Sequence, residues 1–113
     1  MKRSISLFVD DIIDSMHRIQ TYIHTLNYDD FIENQMIIDA VIRNIEIIGE
    51  AANNIPNEIR NDFSDIPWKR MVGLRNIVSH GYFGIDLEII WEIITKNLPQ
   101  TKPLIVEMKK KIN

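Results

Sequence analysis

The sequence predicts an all-α protein: an antiparallel bundle of four to five main helices, in one domain spanning residues 1–113. Apolar residues recur at alternating spacings of three and four along most of the chain, which places them on one face of a helix. Short connections rich in Asn, Asp and Pro separate these segments, as in bundles whose neighbouring helices are antiparallel. A chain of 113 residues has room for one hydrophobic core.

Composition excludes several classes of protein. With 45% hydrophobic and 26% charged residues, the chain has the balance of a globular protein. No apolar run approaches the roughly 18 residues that span a bilayer, and the N-terminus turns acidic too soon for a signal peptide, so we expect no membrane association. The lack of cysteine excludes disulfides and fits the cytoplasm, where we expect the protein to act. The net charge of −3 argues mildly against a general nucleic-acid coat protein.

The first two long helices are predicted from apolar stripes. The first stripe comprises Ile5, Val9, Ile12, Met16, Ile19, Ile23 and Leu26. "NYDD" then interrupts the pattern, and the pair Asp30 and Glu33 resembles a capping box at the start of the second helix. That helix carries a wide apolar face, typical of a central, buried element, formed by Ile37, Ile38, Val41, Ile42, Ile45, Ile48, Ala52 and Ile55.

Prolines and one glycine mark the next boundaries. Pro56 either ends the second helix or begins a short helix over "PNEIRNDF". Pro67 fits the first turn of a further helix, where its missing N–H is tolerated. Gly81 is the expected C-terminal stop of that helix.

The C-terminal part is predicted to hold two helical segments. The first begins near Asp86 and is interrupted by Pro99. Pro103 is then expected to begin the final helix.

Chemistry-bearing side chains concentrate in "GLRNIVSHGYF", residues 73–83, where Arg75, Asn76, Ser79, His80 and Tyr82 fall within eight positions. On a helix Asn76 and His80 share a face, as do Arg75 and Ser79. Arg75 and His80 are five residues apart and so point about 140° away from each other. A facing helix or a second subunit would therefore help to complete any site that these two side chains share.

These residue types suffice for metal-free cleavage of RNA. The negative end of the helix dipole favours a protonated His80, which suits proton transfer to or from RNA. Arg75 can stabilise charge developing on phosphorus, and Lys69 and Arg70, in a segment without acids, are candidate RNA contacts. Cationic side chains at a helix C-terminus are also favoured without any function, so the alternative interpretation of the stretch is a plain helix end in a structural bundle.

A short signature and three longer segments of the sequence resemble a known family. Arg75, His80 and Tyr82 match the R-xxxx-H-x-Y signature of the HEPN superfamily of small helical ribonucleases. With "RNIEIIGEAANNIP", "IPWKRMVGLRNIVSHGYFGID" and "WEIITKNLP" in order, nearly the whole chain resembles the HepT-like toxins of that superfamily.

The resemblance implies a metal-independent endoribonuclease toxin that works as a homodimer, with the motif residues of both subunits in one cleft. Its implied partner is an MntA-like minimal nucleotidyltransferase antitoxin, in a complex that can exceed a dimer. Carried over, Arg75 and His80 would be catalytic, and Asn76 would position the phosphate or the histidine. Tyr82 would help to position phosphate and would accept AMP from the antitoxin. Gly81 departs from the family pattern, because many relatives carry a larger residue there.

A polar stripe along the central helix is the remaining candidate. Its members are Asp39, Arg43, Glu46, Glu50 and Asn53. It is either a solvated face with internal ion pairs, or a face from which Glu46 or Glu50 fixes Arg75 or His80. No metal site and no cofactor are expected. The competing hypothesis for function is a non-catalytic helical partner, or substrate-binding module, of a nucleotidyltransferase.

Overall fold

The structure, a computed structural model, describes residues 4–79 and 84–112. These residues form α-helices and one π-helical turn, without strands, so the all-α prediction is confirmed. The helices are α1 (Ile5–Ile23), α2 (Tyr28–Ile32), α3 (Gln35–Asn53), α4 (Asn57–Asp62), α5 (Trp68–Ser79), α6 (Leu87–Glu92) and α7 (Leu98–Ile112), with the π-helical turn Ile93–Asn97 between α6 and α7.

Asparagine side chains, rather than the Asp30–Glu33 pair, define the starts of α2 and α3. The Asn27 side chain accepts a hydrogen bond from the Asp30 backbone N–H at 2.8 Å, and Asp30 accepts one from the Asn27 N–H at 3.5 Å. This capping box belongs to the short α2. The Asn34 side chain then accepts from the Ile37 N–H and caps α3. The prediction of a capping box at Asp30 and Glu33 was therefore wrong by three residues: the box is formed by Asn27 and Asp30, and Asn34 caps α3. Asn is among the preferred N-cap residues.

The helix boundaries at Pro56 and Pro67 agree with the sequence. Pro56 is the N-cap of α4, and Arg60 on α4 donates to the carbonyls of Ala52, Asn53 and Ile55, which satisfies acceptors at the end of α3. Pro67 directly precedes α5. The expected stop at Gly81 lies outside the described residues.

The predicted interruption at Pro99 is wrong, since helical structure runs without a break from Leu87 to Ile112. The Leu98 N–H donates to the Ile93 carbonyl, five residues back, in the π-helical turn. This turn shifts the hydrogen-bond register just before the proline, whose fixed φ is compatible with the helix that follows. Pro103 lies inside α7 rather than at the start of a separate helix.

Helix α3 is the centre of the packing, since it contacts both α1 and α5, and α1 also contacts α7. Residues buried between these helices include Val9, Ile12, Met16, Ile19, Ile38, Val41, Ile45, Ile48, Met71, Leu74, Val78, Ile90, Ile94, Ile105 and Met108. Most members of the two predicted stripes are among them. No helix in the described part of the chain is long and apolar enough to cross a membrane.

Helices α3 and α5 pack closely against each other at Gly49. A Cβ atom built at Gly49 would lie 2.6 Å from Arg75 Cγ, 3.1 Å from the Arg75 backbone nitrogen and 3.3 Å from the Met71 carbonyl oxygen. The 2.6 Å contact is too short for a real Cβ atom, so a methyl group would require Arg75 to shift, and the two backbone atoms are closer than Cβ contacts usually are. A helix-interior glycine, unfavourable by itself, is therefore explained by the crossing.

We expect Gly49→Ala to destabilise the fold by about 1–3 kcal/mol, because α5 must move away from α3. Gly73 provides a matched control on α5, since a Cβ there meets no atom within 4 Å. Gly73→Ala should stabilise by about 0.5–1 kcal/mol through helix propensity. Urea denaturation of both variants measures the two changes, and a shift of the same sign in both would contradict a tight crossing.

Candidate active site at the Arg75 groove

A groove of about 840 Å³ lies between α1, α3 and the C-terminal half of α5. Its walls combine apolar and charged side chains: Phe8, Asp11, Asp39, Ile42, Arg43, Glu46, Ile47, Glu50, Ala51, Asn54, Arg75, Val78 and Ile85. We call it the Arg75 groove. Among the described residues, four carboxylates and two arginines line it, so the net charge of these side chains is negative.

Arg75 is held by a carboxylate of α3. Its Nε lies 3.1 Å from Glu50 Oε2, and the two side chains are 46% and 58% exposed. The aliphatic stem of Arg75 crosses α3 above Gly49. The crossing of the two helices therefore determines the position of the Arg75 guanidinium, and the ion pair with Glu50 determines its orientation.

Three other members of the polar stripe, Asp39, Arg43 and Glu46, make contacts within α3. Arg43 Nη1 lies 3.6 Å from Glu46 Oε2, and Gln35 donates to Asp39 at 2.8 Å. The sequence allows two interpretations of the stripe, either a solvated face with internal ion pairs or a face that contacts the motif helix, and the structure has one part of each kind. Asp39, Arg43 and Glu46 form a polar face with internal contacts, and Glu50 reaches the motif helix.

The other basic residues of α5 do not join Arg75. Lys69 lines a separate hollow beside α4, and Arg70 lines an apolar groove against α7. Asn76 is exposed and lines none of these three depressions. Lys69 and Arg70 are six and five residues before Arg75, which turns them about 120° and 140° away from it. Any contact they make with RNA lies outside the Arg75 groove.

His80 and Tyr82 lie outside the described residues, but the chain on both sides of them borders the groove. Val78, near the end of α5, and Ile85 both line it. Asp86 then caps α6, where its carboxylate accepts from the Glu88 N–H at 2.9 Å and from the Ile89 N–H at 3.4 Å. The expected start of a helix near Asp86 is confirmed.

Some groove residues carried no signal in the sequence. Phe8, Asp11, Asn54 and Ile85 reach the Arg75 groove only because α1 and the chain after α5 pack beside α3. Gly49 had a weak signal, because a glycine inside a helical pattern is unfavourable by itself and so calls for a packing reason. Within residues 4–79 and 84–112, no group of three or more His, Asp or Glu side chains is placed to hold a metal ion.

The all-α bundle and the R-xxxx-H-x-Y segment place the protein in the class of small helical proteins with this signature. Comparison with known proteins identifies the family. The model of the family described as "Ribonuclease HepT-like" matches residues 12–108. The chain therefore belongs to the HepT-like ribonuclease family.

Individual relatives agree with this assignment. "Putative RNase MJ1380" of Methanocaldococcus jannaschii is 46% identical over 101 residues, which cover 89% of this chain and 93% of that protein. "Probable ribonuclease HepT" of Thermococcus cleftensis is 34% identical over 110 residues, which cover 97% of this chain and 100% of that protein. No solved structure matches the chain significantly.

We expect Arg75→Ala to keep its fold, with a loss of about 1 kcal/mol or less in unfolding free energy, because half-exposed ion pairs contribute little to stability. Met71, one turn earlier on α5, offers the contrast, since it is 3% exposed. Met71→Ala should cost about 2–5 kcal/mol through the cavity it leaves. Thermal or urea unfolding compares the two, and an Arg75 variant as unstable as the Met71 variant would show that Arg75 is a structural residue.

Proposed function

We propose that the protein is a metal-independent endoribonuclease that acts as the toxin of a toxin–antitoxin pair in the cytoplasm. The observation that carries the proposal is Arg75, which lines a groove while half-exposed and belongs to the R-xxxx-H-x-Y segment. The names of the relatives, which describe RNases, support RNA as the substrate class.

The proposed reaction is an internal transesterification of RNA. A 2′-hydroxyl oxygen attacks the adjacent phosphorus, its proton passes to a histidine, and the bond from phosphorus to the 5′-oxygen breaks. The leaving oxygen takes a proton from a second acid, which gives a 2′,3′-cyclic phosphate and a 5′-hydroxyl. Arg75 stabilises the negative charge that builds on the phosphoryl oxygens. DNA lacks the 2′-hydroxyl and is not cut.

His80 is the proposed proton donor or acceptor in this reaction. Val78 and Ile85 line the Arg75 groove on either side of the 80–83 segment, which supports a role for His80 there. Each chain offers one motif histidine, so a homodimer that brings two motif segments together would supply acid and base. The angle of about 140° between positions 75 and 80 on a helix favours the same arrangement.

RNA outside the reacting phosphate has a proposed path over the exposed side of α5. Lys69 and Arg70 are exposed, carry no ion pair with another described residue, and are cationic. Asn76, also exposed, is proposed to position the phosphate or His80. The negative net charge of the described residues that line the Arg75 groove makes it a poor channel for a long polyanion, so the strand should cross the groove rather than follow it.

Control of the toxin is proposed to occur at Tyr82. A minimal nucleotidyltransferase of the MntA type would transfer AMP from ATP to its phenolic oxygen: the oxygen attacks the α-phosphorus, pyrophosphate leaves, and the phenolic proton is released. The added nucleotide brings bulk and negative charge beside Arg75, and both oppose RNA binding. The toxin dimer and antitoxin would form a hetero-oligomer during this step.

One observation favours a second candidate, a non-catalytic helical partner of a nucleotidyltransferase. Among the described lining residues, the carboxylates Asp39, Glu46 and Glu50 outnumber the two arginines even without Asp11, which makes this part of the groove unfavourable for a polyanion and more suitable for a basic protein surface. A module of this kind would bind the transferase without cutting RNA. Cleavage by the purified protein separates the two functions.

We expect Arg75→Ala and His80→Ala to lower RNA cleavage by roughly 10²–10⁴-fold, because each removes charge stabilisation or proton transfer from the transition state. The assay uses purified protein, labelled RNA and the matching DNA, with and without EDTA. EDTA should leave the wild-type rate unchanged, and the DNA should remain intact. Equal cleavage by the wild type and both variants would refute the proposed site.

We expect AMP on Tyr82 after incubation with ATP and the cognate nucleotidyltransferase. Peptide mass spectrometry should locate the added mass on the peptide that contains residues 80–83, and Tyr82→Phe should abolish it. The modified protein should cut RNA at least about tenfold more slowly, because the phosphate opposes a second anion near Arg75. AMP on another residue, or none at all, would contradict this form of control.

A further inference from the structure

We propose that Glu50 is a positioning residue for Arg75: it turns the guanidinium so that its two terminal amino groups face the reacting phosphate. This role rests on the proposed ribonuclease function and adds a residue to it. Glu50 acts through Arg75 and has no contact with RNA in this proposal.

The atoms of the ion pair define the orientation. Glu50 Oε2 contacts Nε, on the side edge of the guanidinium, at 3.1 Å. A guanidinium has a second, end edge formed by Nη1 and Nη2, whose parallel N–H groups match two phosphate oxygens. Among the described residues, the ion pair of Arg75 is made through Nε, and the end edge is available to a ligand.

Gly49 and Glu50 hold two different parts of the same arginine. The space above Gly49 receives the stem, since an added Cβ there would lie 2.6 Å from Arg75 Cγ. Glu50, the next residue, holds the head through Nε. Four rotatable bonds give an arginine many conformations, and two contacts on one rigid helix restrict them. The Gly49–Glu50 pair is therefore a cradle for Arg75.

A contribution to folding stability does not explain why a carboxylate, that of Glu50, lies beside Arg75. The side chains of Arg75 and Glu50 are 46% and 58% exposed, a degree of exposure at which an ion pair contributes little to folding. A carboxylate beside a phosphate site also repels the substrate. Glu50 therefore makes sense if the orientation of Arg75 in the transition state outweighs that repulsion.

Glu46, the other candidate from the sequence, does not have this geometry. It lies 3.6 Å from Arg43, one turn earlier on the same helix. Its carboxylate is thus engaged along α3, and no ion pair joins it to Arg75 among the described residues. The structure distinguishes two carboxylates that the sequence left equivalent.

The experiment measures kcat and KM for cleavage of a short RNA by the wild type, Glu50→Ala, Glu50→Gln, Arg75→Ala and the double variant. Glu50→Ala should lower kcat by roughly ten- to a hundredfold, because a small misplacement of a catalytic group is costly in the transition state. KM should change by less than about threefold, since the contact is with Arg75 rather than with RNA. Glu50→Gln should recover most of kcat, because its amide oxygen can still accept from Nε.

Two further comparisons exclude a merely structural effect. Glu107→Ala removes another exposed carboxylate of an ion pair, on α7 and outside the groove, and should leave kcat unchanged. The double variant Arg75→Ala/Glu50→Ala should be no slower than Arg75→Ala alone, because Glu50 acts only through Arg75. Melting temperatures of all variants should match the wild type within a few degrees.

Each result bears on one proposal. Full activity of Glu50→Ala, or additive losses in the double variant, overturns the positioning role while Arg75 and the ribonuclease function stand. A Glu50→Gln variant as slow as Glu50→Ala overturns it too, since the geometry of the hydrogen bond would not be the cause. Full activity of Arg75→Ala overturns the ribonuclease site itself and the role of Glu50 with it.

Discussion

The crossing of α3 and α5 at Gly49 is the contact on which both the core and the groove depend. The two helices approach so closely that a methyl group at Gly49 would meet the Arg75 backbone. This brings Met71, Leu74 and Val78 of α5 into the core beside α3. It also places the stem of Arg75 over α3, so the same contact packs the core on one side and forms the wall of the groove on the other.

The charges around Arg75 determine which ligands the groove can attract. Among the described residues that line the groove, carboxylates outnumber arginines, and the second arginine, Arg43, forms an ion pair with Glu46. For an anionic ligand, these residues therefore offer one guanidinium, that of Arg75, and no broad basic surface. Under the proposed function, this arrangement would give weak general affinity for nucleic acid and would place the binding energy at a single phosphate, where cleavage of a phosphodiester needs it.

Several features of the fold could be predicted locally. The stripes of α1 and α3, the boundaries at Pro56 and Pro67, and the start near Asp86 each follow from the chemistry of a few adjacent residues. The errors were also local. Asp30 and Glu33 have the spacing of a capping box, but Asn27 and Asn34 offer better caps in place. Pro99 indicates a helix end because proline lacks the N–H for an α-helical hydrogen bond. The π-helical turn before it changes the hydrogen-bond pattern at this point, and the helix continues through the proline.

The sequence by itself determined the helical class, the faces that enter the core and the family, because helical period and motif spacing are written along the chain. It also singled out Arg75 together with Glu46 and Glu50 as candidate neighbours. Only the tertiary structure decided between the two glutamates, and only it separated Arg75 from Lys69 and Arg70 into different depressions. The physical reason is that helical period fixes the angle of a side chain about its own axis, whereas the distance between two helices depends on the residues at their crossing. Here that residue is a glycine, and it lets Arg75 reach Glu50.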